Sequence, residues 1–219
     1  LTPFLLGENC SINSVFGFNP LICFNNSTLA RHSERESPMR IYQGWLSAAT
    51  VLTSPNADLR PDESDISLLV IHSISLPPGQ FGGGHVAELF TNTLDPNAHS
   101  YFAEVANLKV SAHLLIDREG VVTQFVPFDQ RAWHAGVSEF AGRPACNDFS
   151  IGIELEGIDT EPYTDLQYQR LAEITQCLIV EYPALTKERI VGHGDIAPDR
   201  KTDPGLAFDW AYFRKLLTT

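Results

Sequence analysis

The spacing of apolar and polar positions changes several times along the first half of the chain, and each change indicates a different element. Residues 67–72 (SLLVIH) form a short apolar run between turn formers, a pattern that predicts a buried strand. Residues 75–84 (SLPPGQFGGG) contain two prolines and four glycines, which predict a loop. Short helical patterns follow at residues 85–92 and 98–107.

The middle of the chain carries a hairpin signal and then a strand of alternating character. Two apolar runs between residues 111 and 127 are separated by the turn-forming sequence Arg-Glu-Gly, which predicts a β-hairpin. Residues 150–157 (SIGIELEG) alternate strictly, so that isoleucine and leucine share one face. The other face carries two carboxylates, Glu154 and Glu156.

The last third of the chain completes the alternation of strands and helices. Apolar positions in residues 165–182 have the spacing of an amphipathic helix, which Pro183 ends. The sequence pattern predicts a strand at residues 189–193, a loop at residues 195–205 and a final helix at residues 209–217. The pattern predicts an α/β (mixed α+β) fold with a central mixed sheet flanked by helices.

Composition narrows the classes of partner that suit this chain. The 219 residues are 43% hydrophobic and 19% charged, a balance that suits a globular domain with a substantial core. The formal net charge of −12 disfavours nucleic acid and anionic membranes, since both would repel it. No apolar run reaches the roughly 18 residues of a membrane span. We therefore expect neither nucleic acid nor membrane as a partner.

The N-terminal segment differs from the rest of the chain. Residues 1–38 lack a basic region, and their apolar residues come in short pieces, so a secretory signal is not indicated. The only methionine is Met39, which indicates a domain over residues 39–219 preceded by a poorly structured extension of uncertain origin. The four cysteines form no C-x-x-C pair, and a Cys10–Cys23 bridge is the one loose possibility. Cysteine usage thus gives no reason to place the chain outside the cytosol.

Two histidines occupy the same kind of position. His72 and His193 each end a predicted strand just before a loop, and Asp203 follows His193 by ten residues. Two histidines and a carboxylate form a common catalytic zinc set that leaves a fourth position for water. However, the chain has seven histidines, and a histidine at a strand end is more often structural than a ligand. Spacing alone therefore does not select this pair.

Five segments between residues 71 and 205 carry a resemblance to a known family, and the resemblance runs from about Met39 to Leu217. They are IHSISLPPGQFGGG, SAHLLIDREG, QFVPFDQRAWHAGVS, CNDFSIGIELEG and GHGDIAPDRKTDPG. In this order they resemble the cytosolic AmpD-type 1,6-anhydro-N-acetylmuramyl-L-alanine amidases. These enzymes belong to the wider N-acetylmuramoyl-L-alanine amidase and peptidoglycan-recognition superfamily.

The resemblance implies a metal site and a catalytic pair. The family's Zn²⁺ ligands fall on His72, His193 and Asp203, its catalytic carboxylate on Glu154 and its catalytic lysine on Lys201. The strand alternation supports Glu154, because it lies on the polar face. Lys201 lies two residues from a metal ligand, so its ammonium group can reach the oxygen of an attacked carbonyl.

Substrate contacts are also implied by the resemblance. Ser73 stands where relatives often have asparagine, Lys109 where they usually have arginine, and Trp133 matches an aromatic residue of the substrate groove. The position before Cys146 commonly holds an arginine for the substrate's carboxylates, and here it is Ala145. Arg143 is the nearest arginine and is the candidate for that role. We expect His113 and His134 to be structural.

The implied activity is that of a zinc amidohydrolase of cell-wall recycling. It would hydrolyse the lactyl–L-alanine amide bond of 1,6-anhydro-muropeptides, acting as a cytoplasmic monomer. A non-catalytic peptidoglycan-binding module is the first alternative, but members with that role lack a ligand or the catalytic pair. A zinc peptidase is the second, and no H-E-x-x-H sequence is present. The choice between anhydro-muropeptide and intact peptidoglycan stays open at this point.

Overall fold

The computed structural model describes residues 38–218. The expected N-terminal extension, apart from Pro38, and the possible Cys10–Cys23 bridge lie outside the described residues. Within residues 38–218 the chain forms twelve strands, many of them short, and five helices. The strands are β1 Ile41–Tyr42, β2 Trp45–Leu46, β3 Thr50–Val51, β4 Ala57–Leu59, β5 Leu68–Ile74, β6 Leu114–Ile116, β7 Val122–Gln124, β8 Gln130–Ala132, β9 Glu139–Phe140, β10 Arg143–Pro144, β11 Ser150–Glu156 and β12 Ile190–Gly192. The helices are α1 His85–Phe90, α2 Ser100–Val105, α3 Asp165–Glu181, α4 His193–Ile196 and α5 Trp210–Leu216.

Six of these strands form one mixed sheet in the order β12-β5-β11-β6-β7-β3. Strands β12, β5, β11 and β6 run parallel to one another, whereas β6 and β7 form the predicted antiparallel hairpin. Helices cover the sheet, so the predicted fold class is confirmed. No described helix combines the length and the hydropathy that a bilayer crossing requires.

The alternation of β11 divides its side chains between two buried layers. Ile151, Ile153 and Leu155 pack in the main core with apolar residues of α3 and α5. The opposite, polar face is buried as well, and Glu154 is only 8% exposed. The sheet therefore carries ionisable side chains in a layer that water reaches poorly.

Helix α3 closes one face of the sheet and follows its sequence signals closely. Thr164 accepts a hydrogen bond from the backbone N–H of Gln167, and the Gln167 side chain accepts one from the N–H of Thr164, forming a capping box. The helix ends at Glu181, two residues before Pro183, as predicted. Its buried apolar stripe contributes to the main core.

Two strand ends differ from the prediction. Strand β5 continues to Ile74, so His72 lies within the strand and not at its last position. Strand β12 ends at Gly192, and His193 begins the single-turn helix α4. The cause is local: the Asp195 carboxylate accepts the backbone N–H of Gly192 at 2.7 Å and caps that turn. His193 is therefore fixed at a junction between strand and helix.

Candidate active site

The register of three parallel strands brings the predicted strand residues together. Glu154 on β11 pairs directly with His72 on β5. Gly192 on β12 pairs with Ile71, so the next residue, His193, lies beside His72. Since adjacent parallel strands end at the same edge of the sheet, these three side chains converge there.

Asp203 reaches the same place because its loop folds back onto α4. The backbone N–H of Gly194 donates to the carbonyl of Asp203 at 2.9 Å, and the N–H of Lys201 donates to the carbonyl of Ala197 at 2.9 Å. The hydroxyl of Thr202 donates to the Asp159 carboxylate. These bonds hold Lys201 and Asp203 against the edge of the sheet.

Three side-chain atoms form a nearly equilateral triangle at this edge. The Nδ1 atoms of His72 and His193 are 3.0 Å apart, and Asp203 Oδ2 lies 3.2 Å from the first and 3.1 Å from the second. Both histidines are buried. Among the described residues, this is the group of histidine, cysteine and carboxylate side chains whose geometry could hold a metal ion.

The outer nitrogen of each histidine faces a separate partner. His193 Nε2 lies 3.2 Å from the carbonyl oxygen of Ala135, which can only accept a hydrogen bond. The Nε2 atom of His193 therefore carries its proton, and in the neutral ring Nδ1 presents a lone pair to the triangle. His72 Nε2 lies 2.9 Å from His134 Nδ1.

Burial and neighbouring charge set the protonation of the triangle. Burial lowers the pKa of His72 to about 4, and the neighbouring His193 adds to that effect while Asp203 opposes it. Burial also acts to raise the pKa of Asp203, but the adjacent imidazoles of His193 and His72 hold it below its ordinary value. A neutral His72 beside an ionised Asp203 is the state that a metal ion requires of its ligands.

Glu154 lies next to the triangle without belonging to it. Its Oε1 atom is 4.0 Å from His72 Nδ1, and its buried Oε2 atom has no hydrogen-bond partner among the described residues. Burial raises the pKa of the Glu154 carboxyl well above its ordinary value, and Asp203 raises it further while Lys201 opposes. Burial thus stabilises the protonated form of this carboxyl more than it does in an exposed glutamate.

A cavity of about 360 Å³ opens onto the triangle. The metal-ligand candidates, Glu154 and Lys201 line one side of it. The opposite wall is largely apolar and is built by α1 and α2 with the segments beside them, including Leu89, Phe90, Tyr101 and Val105. Such a mixed lining suits a ligand that is partly apolar and carries a few polar groups.

Residues 62–206 match the family model described as N-acetylmuramoyl-L-alanine amidase. That range contains the triangle, Glu154 and Lys201, and it spans more than half of the chain. The chain belongs to the N-acetylmuramoyl-L-alanine amidase family. The resemblance carried by the five sequence segments is thereby confirmed.

Individual members of this amidase family match over most of the chain. The 1,6-anhydro-N-acetylmuramyl-L-alanine amidase AmpD of Escherichia coli K12 is 61% identical over 180 residues, which cover 82% of this chain and 98% of that protein. A crystal structure of a selenomethionine derivative of AmpD is similar, with a TM-score of 0.80 and 60% identity over 82% of this chain and 99% of the other.

A more distant amidase of the family has been solved with a ligand. The structure is a complex of the E. coli N-acetylmuramyl-L-alanine amidase AmiD with the substrate anhydro-N-acetylmuramic acid-L-Ala-D-γ-Glu-L-Lys. Its TM-score is 0.52 and its identity 27%, with 82% of this chain and 65% of that chain covered. The central sheet flanked by helices is thus a shared amidase fold.

Two of the four expected substrate contacts line the cavity of this amidase. Ser73 does so beside His72, and its hydroxyl donates to Asp159 at 3.3 Å. Trp133 also lines the cavity, and its indole N–H donates to Asp58 at 3.2 Å. Asp58 in turn forms an ion pair with Arg131, and this pair fixes the orientation of the indole ring.

The other two lie away from the cavity wall. Lys109 is exposed, although its neighbours Leu108 and Val110 both line the cavity. Arg143 lies on β10, stacks on the ring of Phe149 and forms an ion pair with Asp65. Lys109 and Arg143 as substrate contacts stay predictions, and Arg143 would have to leave Asp65 to meet a ligand.

Three residues of the site were not singled out by the sequence. His134 was expected to be structural, yet it lies against the metal-ligand candidate His72. Asn147 holds the backbone on which His134 sits, and Asp159 joins Ser73 to Thr202. The sequence signal that could have indicated His134 was Gly152. This glycine is the one residue on the polar face of β11 without a side chain, and the space it leaves is filled by the His134 ring.

The triangle fits zinc by its dimensions and its donors. Ligand atoms at the bond lengths of about 2.0–2.1 Å of tetrahedral zinc lie about 3.3 Å from one another. The three edges here measure 3.0, 3.2 and 3.1 Å. With the proton of each ring on Nε2, all three atoms are acceptors, and a bound cation would satisfy them together. Two imidazoles and one carboxylate are also the donor set of catalytic zinc sites.

Proposed function

We propose that this amidase hydrolyses the amide bond between the lactyl group of 1,6-anhydro-N-acetylmuramic acid and the L-alanine of a muropeptide, with zinc bound by His72, His193 and Asp203. The observation that carries the proposal is the triangle of donor atoms beside a buried, unpartnered carboxylate oxygen at one cavity. The names of the AmpD relatives and the muropeptide bound to AmiD support this choice of substrate. Turnover of soluble muropeptides in cell-wall recycling is part of the proposal.

Zinc in a three-residue site of this kind supplies Lewis acidity, which lowers the pKa of water to about 7 and polarises a carbonyl group. The chain's own contribution begins with ligand geometry. The strand pair fixes His72, and the Gly192–His193 junction fixes His193, so neither ligand has to be ordered when the ion binds. Ala135 fixes the proton of His193 on the nitrogen that faces away from the ion.

Glu154 moves the proton of the reaction. Its carboxylate takes a proton from the attacking water as the water oxygen bonds to the carbonyl carbon. The same carboxyl then donates that proton to the alanine nitrogen as the carbon–nitrogen bond breaks. A raised pKa suits both steps, because the group has to hold a proton between them.

Lys201 stabilises the charge that develops on the substrate. The carbonyl oxygen becomes negative as water adds, and the ammonium group of Lys201 at the cavity rim can face that oxygen. Lys201 also favours the ionised form of Glu154, which is the form that accepts the proton from water. Ser73 and Trp133 would contact the muropeptide on either side of the reacting bond.

The decisive experiment is product analysis by mass spectrometry with zinc-loaded protein. We expect anhydro-N-acetylmuramic acid and a free stem peptide from an anhydro-muropeptide, and slower release of peptides from intact sacculi. His72→Ala treated identically should release neither product. Efficient digestion of sacculi with no action on the anhydro-muropeptide would instead favour wall peptidoglycan as the substrate. Zinc binding with no turnover of either compound would favour the binding-module alternative.

A further inference from the structure

One dipeptide, His134-Ala135, contacts the outer nitrogens of both histidine ligands. The carbonyl of Ala135 accepts from His193 Nε2 at 3.2 Å, and His134 Nδ1 lies 2.9 Å from His72 Nε2. The two rings of His72 and His134 meet edge to face, with an angle of 86° between their planes. Both histidines of the triangle are therefore contacted, at their outer nitrogens, by the same short segment.

Asn147 holds this dipeptide in place. Its side-chain oxygen accepts the backbone N–H of Ala135 at 2.8 Å and that of His134 at 3.2 Å. The backbone carbonyl of Asn147 accepts in turn from the buried guanidinium of Arg60 at 3.2 Å. The position of the His134 ring is thus set by a network behind the cavity, independently of any ligand.

The sheet leaves a space that the His134 ring fills. The ring lies over Gly152 on β11, where a Cβ atom would overlap the ring's Cγ and Nδ1 atoms. The far nitrogen of the ring, Nε2, lies 3.1 Å from the hydroxyl of Ser150, two residues earlier on the same strand. His134 is therefore positioned from three sides, with one nitrogen facing His72 and the other facing Ser150.

We propose that His134 is a positioning residue, which holds His72 in the tautomer whose Nδ1 binds the metal. This inference rests on the proposed zinc site. A metal on Nδ1 requires the proton of His72 to be on Nε2, and a buried Nε2–H requires an acceptor. The lone pair of His134 Nδ1 is that acceptor when the His134 proton is on Nε2, facing Ser150.

Loss of the acceptor has a defined consequence. The Nε2–H of His72 would be left buried without a partner, which favours the other tautomer, with its proton on Nδ1. That proton occupies the position of the metal bond, so zinc must compete with it. Removal of such an outer hydrogen bond typically weakens metal affinity by about 10- to 100-fold.

The test is a matched pair of substitutions in the full-length chain, His134→Asn and His134→Leu. Asparagine and leucine have the same branched shape, but the asparagine oxygen can occupy the place of Nδ1 and accept from His72. Zinc affinity is measured by competition with a chromophoric chelator. We expect His134→Leu to bind zinc about 10- to 100-fold more weakly than wild type, and His134→Asn to stay within about threefold of it.

Equal affinities for the two variants would overturn the inference, whether both match wild type or both fall. Circular dichroism of the metal-free proteins shows whether the leucine variant folds. If it does not, Ser150→Ala decides, because it removes the partner of His134 Nε2 with little change in volume. We expect Ser150→Ala to weaken zinc binding by at least about threefold, and an unchanged affinity would refute the role of His134.

His72→Ala in the same titration separates this inference from the proposed function. If wild type binds zinc no more tightly than His72→Ala, the proposed metal site itself is wrong. If wild type binds tightly and His72→Ala does not, but the asparagine and leucine variants agree, only the positioning role of His134 fails.

Discussion

The two sides of the active site are built in different ways. His72 and Glu154 belong to neighbouring strands in the middle of the sheet, where backbone pairing fixes them opposite each other. Lys201 and Asp203 belong to a loop that a few backbone bonds hold against α4 and one hydroxyl–carboxylate contact joins to Asp159. The strand side is thus determined by the whole sheet, and the loop side by local contacts that single substitutions can remove.

This difference predicts how changes on each side act. A substitution on the strand side should alter chemistry while the geometry of its neighbours persists. A substitution on the loop side can alter chemistry or merely loosen the loop, and the two effects have to be measured separately. The expected effects below run from the largest to the smallest.

Removal of a metal ligand should have the largest effect and should erase the difference between the sides. We expect His72→Ala on the strand and Asp203→Ala on the loop each to weaken zinc binding by roughly 10³-fold, with activity lost, because only three protein ligands are proposed. Chelator competition measures the affinity. His85→Ala serves as the control, since His85 pairs with Glu88 on α1 away from the triangle. Full zinc retention in either ligand variant would remove that residue from the site.

Glu154→Gln should act on the rate and leave the metal bound. We expect turnover to fall by roughly 10²- to 10⁴-fold, the usual effect of removing a positioned acid–base group. Glu156→Gln is the matched control on the same face of β11. Glu156 accepts the backbone N–H of Gly82, and glutamine keeps an acceptor for that bond. Kinetics at equal zinc occupancy distinguish the two, and a larger loss for Glu156→Gln would mean that the wrong carboxylate has been assigned.

Lys201→Ala tests the chemistry of the loop side. We expect turnover to fall by roughly 10²-fold at unchanged zinc affinity, because an oxyanion stabiliser is lost while the ligands stay. Lys215→Ala on α5 removes an exposed lysine of equal charge and should have little effect. A weaker zinc affinity in Lys201→Ala, with normal turnover at full occupancy, would show that Lys201 only orders its loop.

Thr202→Val tests the order of the loop without touching a reacting group. Valine keeps the shape of threonine but removes the hydroxyl that donates to Asp159. Since loss of one hydrogen bond costs about 1 kcal/mol, we expect zinc affinity to fall about fivefold through the adjacent Asp203. Thr202→Ser keeps the hydroxyl and should bind zinc like wild type. If the valine and serine variants bind equally, the contact with Asp159 does not hold the loop.

Removal of residues 1–38 should have the smallest effect. Both sides of the site lie between His72 and Asp203, within the residues that match the family. We propose that residues 39–219 form the amidase domain, so the truncated chain should keep wild-type zinc affinity and turnover. The comparison requires a thermal melt alongside the kinetics. A truncated chain that folds but has lost activity would assign the removed segment a role in catalysis.

The sequence predicted the strand side of the site better than the loop side. Alternation in residues 150–157 placed Glu154 on the correct face, and the apolar spacing of residues 165–182 with Pro183 located α3. Selection of His72 and His193 among seven histidines required the family resemblance, because strand register depends on contacts between distant residues. The two- and three-residue strands before β5 are too short to produce a periodic signal.

His134 shows most clearly why part of the site escaped prediction. Its side chain lies near His72 only because a hydrogen-bond network orients residues 133–135 and because Gly152 leaves a space on a different strand. Neither cause is local to His134 in sequence. His193 was placed at a strand end for a different and local reason, since the cap from Asp195 ends the strand at Gly192.

The parallel register of β5 and β11 also limits where insertions and deletions can occur in the sequence of such an amidase. Deletion of one residue within Ser150–Glu156 would turn Glu154 toward α3 and bring a hydrophobic neighbour to the cavity, because side chains alternate between the two faces. The long connections between the strands carry no such constraint. Relatives that diverge by insertion and deletion should therefore differ in these connections, while the number of residues from Ser150 to Glu154 stays the same.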